Sequence, residues 1–182
     1  GHIRLSMESA IQTSIRMGKK LFDKQHEDYD GVYLLNMLLG GYFGSRLSQK
    51  IREEMGLVYG IYSHIDTLKY DGIFYINTET SHENVDVTHE AIKNEIDRIK
   101  QYKISSSELE RAKNYLLGQV LNMVNGTFEL SQTILHSLLE NHPPERIIER
   151  INHVKSLDEN QMLQLAQKYL ADDGWTDVFV GG

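Results

Sequence analysis

Strand-like stretches gather in the first eighty residues and again in the last seven, TDVFVGG, while nearly everything between carries helical periodicity. A strand that arrives last has to return to the sheet begun by the early ones, because its backbone N–H and C=O groups need partners. No Pro/Gly/Ser-rich linker, internal repeat or low-complexity tract interrupts the chain, whose only prolines are Pro143 and Pro144. The pattern therefore predicts one α+β domain over residues 1–182: a two-layer sandwich with an antiparallel sheet covered on one face by helices.

Locally, SAIQTSIRMG sets Ala10, Gln12 and Ser14 against Ile11, Thr13 and Ile15, the period of a half-buried strand near 9–17. From Tyr29, apolar residues at Val32, Leu35, Leu38 and Leu39 predict a helix that Gly40-Gly41 can end. LVYGIYSHI and GIFYINTET, joined through Asp71-Gly72, predict two antiparallel strands. Helices follow over Val85–Ile99 and Leu109–Met123, the latter opened by a Ser105/Glu108 capping box. TFELSQTILHSLLEN and PERIIERINHV predict two shorter helices, the second started by its prolines. Ser156 with Glu159 is read as a second capping box before NQMLQLAQKYL.

Charge and composition remove several functions. Nineteen Lys and Arg against 26 Asp and Glu leave a net charge of −7, which disfavours a nonspecific grip on nucleic acid. With no cysteine, a metal would need His, Asp or Glu. His82-Glu83 and His89-Glu90 lack a second histidine at zinc-motif spacing, so no metal site is expected in this chain. His64, His136 and His153 read as surface or partly buried imidazoles. Gly40 and Gly41 follow a helix rather than a strand and precede no Lys-Ser or Lys-Thr pair, unlike a phosphate loop. Ser45 has one flanking glycine and no nucleophile elbow. The Asn125-Gly126-Thr127 sequon is more simply a turn that ends a helix. No apolar run approaches the length of a membrane span, so the chain reads as soluble, in a compartment that the sequence leaves open. Gly1-His2 without an initiator Met reads as an expression scar on an excised part of a longer protein.

The stretch LLGGYFGSRLSQKIREEMGLVYGIYS, residues 38–63, resembles the second, non-catalytic domain of the pitrilysin-type zinc peptidases, which include insulysin and the mitochondrial processing peptidases. ELERAKNYLLGQ and the closing VKSLDENQMLQLAQKYLADDGWTDVFVGG are similar to that domain in the same order. The resemblance implies a chain without zinc of its own. Its zinc-bearing partner is a His-x-x-Glu-His domain, in the same chain or a separate subunit, and its substrate is a peptide. It further implies that Arg52 and Tyr59, seven residues apart, reach across to that substrate, and that a loop of Gly40, Gly41, Ser45 and Arg46 lies beside it. An alternative is a non-proteolytic assembly subunit of the same fold; another is a zinc enzyme whose histidines converge only in space.

The residues also carry a reading of their own. Ser45–Glu54 predicts a short helix with Leu47 and Ile51 buried, and Gly56 a left-handed exit into a strand, so that Arg52 and Tyr59 flank a corner. There a guanidinium can hold peptide carbonyls and a phenol can donate to a carbonyl oxygen gaining charge. The plainer possibility is a helix-end cation beside a core tyrosine. For the glycine pair, a tight joint between two helices is the simpler expectation.

Overall fold

The computed structural model describes residues 1–139, 143 and 146–182. Five strands, β1 (His2–Ser6), β2 (Thr13–Leu21), β3 (Val58–Thr67), β4 (Gly72–Thr80) and β5 (Thr176–Gly181), form one sheet in the order β1-β5-β2-β4-β3. All neighbours are antiparallel except β1 and β5, which run parallel at one edge. β2 starts four residues later than the alternation suggests: its ladder with β4 opens at the pair Thr13 and Thr80, and Ile11 lies outside it, 90% exposed. Strand β1 escaped the sequence reading because every one of its residues is exposed, so it carries no half-buried alternation.

Alternation along the strands separates two faces. Ile15, Met17, Ile61, Phe74, Ile76 and Phe179 point into the core, while Arg16, Lys20, Tyr62, His64 and Ile73 are exposed on the opposite face. Each fully buried side chain of this size stabilises the fold by roughly 1.5–3 kcal/mol.

The described residues form six α-helices, α1 (Tyr29–Leu39), α2 (Val85–Gln101), α3 (Ser106–Met123), α4 (Thr127–Leu139), α5 (Arg146–Ser156) and α6 (Glu159–Tyr169), of which all but α4, which packs on α3, contribute buried side chains to the core. Of the proline-led start expected for α5, residue 144 lies outside the described residues. Ser105 caps α3 by accepting from the Glu108 amide at 3.2 Å. The capping box of α6 is Asp158/Gln161 rather than Ser156/Glu159, with reciprocal bonds of 2.8 and 2.9 Å. Ser156 belongs to the last turn of α5, where its hydroxyl donates back to the His153 carbonyl at 2.8 Å. The nearer competitor, a carboxylate, takes the cap.

Helix α1 is apolar nearly all round and is enclosed by β3, α2, α3, α5 and α6. Its two ends are held differently. At the N-terminus, Asp28 accepts from Lys168 at 2.7 Å and from the Tyr169 hydroxyl, and Asp30 pairs with Arg150. At the C-terminus, the amides of Gly40 and Gly41 both donate to the Asn36 carbonyl at 2.9 Å. The chain then passes so close to β3 that a Cβ on Gly40 would stand 2.7 Å from the Ser63 nitrogen.

Replacing Gly40 by Ala should lower unfolding free energy by about 1–3 kcal/mol in urea titrations, since the atom it would meet is backbone. Burial acts to raise the Asp28 pKa, but the hydrogen bonds from Lys168 and Tyr169 outweigh it and hold the carboxyl below its ordinary 3.8. A depressed folded pKa contributes stability above the unfolded value that is lost as pH falls through the folded one. The stability difference between wild type and Asp28→Asn should therefore be constant near neutrality and shrink below about pH 4, as measured by urea midpoints across pH.

Candidate functional site

The corner between α1 and β3 turns three times within twenty residues, and each turn has a local cause. After the Gly40-Gly41 joint, the expected short helix is π-helical over Ser48–Glu54: the Met55 amide donates to Lys50, five residues back, at 3.0 Å. Leu47 and Ile51 are fully buried, as their spacing predicted. Gly56, at φ +63°, makes the left-handed exit, and the Leu57 amide closes on the Ile51 carbonyl at 3.1 Å.

Strand β3 begins with a bulge. Val58 pairs with Thr80 and Ile61 with Thr78, so three steps on β3 match two on β4 and one residue is extra around Tyr59-Gly60. The carbonyls displaced from the ladder find side-chain donors instead. Thr80 donates to Leu57 at 2.8 Å, Thr78 to Gly60 at 2.7 Å, and Arg52 Nε to Tyr59 at 2.7 Å. Both threonines face inward and are buried, an unusual pair of polar residues on a core face and the signal in NTET that anticipates the bulge.

This arrangement brings Arg52 and Tyr59 together. The Tyr59 side chain is 93% exposed, which removes the core-tyrosine possibility. Arg52 is more restrained: besides its bond to the Tyr59 carbonyl, Nη1 donates to Glu53 at 2.6 Å and the guanidinium lies 4.6 Å from the centre of the Phe43 ring. Phe43, in the turn that follows the glycine pair, is itself 58% exposed and meets Tyr62 edge to face at 6.5 Å. Nearby, the hydrogen bond from Lys50, with its charge, keeps the Glu54 carboxyl below its ordinary range.

Ser45 and Arg46 are placed differently. Ser45 is 1% exposed, its Oγ without a protein partner among the described residues. Arg46 forms a two-pronged ion pair with Glu108 of α3 at 2.7 and 3.1 Å, both side chains less than one-fifth exposed. Gly40 is buried at the joint, and a Cβ on Gly41 would strike Met37. Beside them, burial raises the Tyr42 phenol above the usual tyrosine range, against an opposing Arg111 charge.

No group of three or more His, Asp or Glu side chains among the described residues is arranged to hold a metal ion. The histidines have other bonds: His82 to Thr13 and Ala10, His89 to Asp177, His153 to Asp30. His64 stacks obliquely between Tyr62 and Tyr75, and the side chain of His136 lies outside the described residues. The described residues therefore offer no seat for a zinc ion. No helix among the described residues is long and apolar enough to cross a membrane. A pocket of about 260 Å³ lies at the far end of α1 from the corner, lined by Asp28, Gly31, His153 and Lys168 among others.

Residues 2–116 match the family model for the peptidase M16 inactive domain, and the chain belongs to that family. It is similar to an uncharacterized zinc protease of Rickettsia felis, 32% identical over 128 residues, which cover 69% of this chain and 31% of the relative. A Helicobacter pylori protein named as a non-peptidase homolog, YmxG, is 32% identical over 87 residues, covering 47% of this chain and 20% of the other. Among solved structures, the M16 inactive domain from Pseudomonas fluorescens superposes with a TM-score of 0.87 at 27% identity, over all of this chain and 43% of that one. The chain thus spans about a third of the length of the Rickettsia relative.

Replacing Thr78 or Thr80 with Val keeps the side-chain shape but strips the Gly60 or Leu57 carbonyl of its donor. Each change should cost about 1 kcal/mol of stability in urea titration, the net worth of a hydrogen bond to a partly buried carbonyl.

Proposed function

We propose that this chain is the zinc-free, substrate-binding half of an M16-type metalloendopeptidase. Its catalytic partner, a His-x-x-Glu-His domain in the same chain or in a separate subunit, binds the zinc ion, which when bound activates water for peptide hydrolysis. The observation that carries the reading is the Tyr59 side chain, 93% exposed on a corner whose backbone is tied by Arg52, Thr78 and Thr80. A large exposed side chain on so restrained a backbone suits contact with a second body.

The roles follow from the chemistry of the two groups. The Tyr59 phenol donates a hydrogen bond to a peptide carbonyl oxygen as that oxygen gains negative charge, an interaction strongest in the transition state. The Arg52 guanidinium binds backbone carbonyls of an extended peptide through the N–H groups left over from its bonds to Tyr59 and Glu53, and acts in the ground state as well. Gly40, Gly41, Ser45 and Arg46 serve the same site by shaping the corner: the glycines allow the close joint, and the Arg46–Glu108 pair ties it to α3.

A second reading, a non-proteolytic assembly subunit, is favoured by the name of the Helicobacter relative. One experiment separates the two. With the cognate catalytic half added, Tyr59→Phe should lower kcat about a hundredfold with KM little changed, while Arg52→Ala should raise KM. If the joined halves hydrolyse no unfolded peptide, the assembly reading replaces the peptidase one; if they do and both variants match wild type, the roles given to Arg52 and Tyr59 fall.

A further inference from the structure

The Arg52 guanidinium has a seat, and one member of it is an exposed aromatic ring. Phe43 places its face 4.6 Å from the guanidinium carbon, and the Phe43 carbonyl is in turn held by Gln49 Nε2 at 3.2 Å. The ring leans edge-on against Tyr62 of β3, which fixes its tilt from the other side. Yet Phe43 is 58% exposed and is absent from the core cluster. A large apolar side chain left in water while it stacks on a cation contributes little to folding and a good deal to where that cation sits.

We infer that Phe43 is a positioning residue: with the Tyr59 carbonyl it holds the Arg52 guanidinium in the orientation that receives a peptide backbone. The inference rests on the peptide-binding reading of Arg52. Two restraints act on different parts of the group. The carbonyl takes Nε–H and fixes one edge of the guanidinium, and the ring fixes its plane. Without the ring, the plane turns freely about the single hydrogen bond to Tyr59 and the salt bridge to exposed Glu53, and the remaining donors lose their common direction. The loss falls on peptide binding rather than on the chemical step, since Tyr59 keeps its backbone support from Thr78 and Thr80 on either side of it.

The test has two arms. In the chain alone, the Arg52 Nε–H signal in proton–nitrogen NMR should be shifted by the ring and protected from exchange. Phe43→Leu should move the shift toward that of a free arginine and speed its exchange, Phe43→Trp should retain both features, and the urea midpoint should be the same in all three. With the catalytic half added, Phe43→Leu should raise KM about fivefold at unchanged kcat, the equivalent of one exposed cation–π contact, and Phe43→Trp should restore it. In an Arg52→Ala background, Phe43→Leu should have no further effect. An Arg52 signal indifferent to Phe43→Leu overturns the proposal, as does a kcat loss at constant KM, which marks a smaller active fraction instead of a turned guanidinium. If Arg52→Ala itself leaves KM unchanged, the peptide-binding reading fails and takes this proposal with it; if Arg52→Ala raises KM and Phe43→Leu does not, only the proposal fails.

Discussion

The Ser63 amide donates to the Gly40 carbonyl at 3.0 Å, and the Ser63 hydroxyl donates to the Asn36 side-chain oxygen at 2.6 Å, with Asn36 and Ser63 at most 3% exposed. The amide bond lies on the free edge of β3, which has β4 as its only strand neighbour, and the hydroxyl bond on its buried face. Helix α1 therefore supplies partners for that strand through its last carbonyls and one side chain. The distance between helix and strand is set by hydrogen bonds instead of by apolar packing, which tolerates sliding. Glycine at position 40 is the condition for this, because a Cβ there would come within 2.7 Å of the Ser63 nitrogen. Everything between residues 40 and 63, the corner included, is spanned between those two anchored points.

Within that span, backbone and side chains are treated oppositely. The Leu57, Tyr59 and Gly60 carbonyls, put out of register by the bulge, each accept from a side chain reaching in from β4 or the π-helical segment. Arg46, thirteen residues before Tyr59, is spent on a paired carboxylate in α3. The most exposed large apolar groups of the span are Tyr59 and Phe43, with the partly exposed Arg52 between them. A bulge turns a strand's residue outward at the cost of ladder bonds, and here three side chains offset that cost. The same restraint suits the preorganisation that a substrate-contacting phenol requires.

Much of this was legible in the sequence because it is periodic or local. Helices α1, α2 and α3 follow apolar repeats whose buried members, Leu35, Ile92 and Leu109 among them, lie where the spacing put them. The β3–β4 hairpin follows from Asp71-Gly72 between aromatic-rich runs, and the Arg52–Tyr59 spacing flagged the corner. What stayed hidden is non-local or leaves the pattern untouched. The ion pair from Arg46 to Glu108 spans 62 residues. The π-helical turn keeps Leu47 and Ile51 buried just as an α-helix would, so no periodicity distinguishes the two. Ser156 and Asp158 both stand three residues before a suitable partner, and only the extent of α5 decides between them. Phe43 reads as an ordinary loop aromatic until the guanidinium above it is seen.

Strand β5 is made of residues 176–181 yet occupies the second position in the sheet, between β1 and β2, two of the earliest segments. During synthesis, β2, β3 and β4 can assemble while β1 waits, since its neighbour is still inside the ribosome. A nascent chain thus carries an unsheathed β2 margin, with Ile15 and Met17 beside it, through the time needed to translate some ninety-five residues beyond β4. For a protein built this way, protection by a chaperone matters most until β5 has emerged, and a ribosome stalled between β4 and β5 would leave a sheet open along its middle.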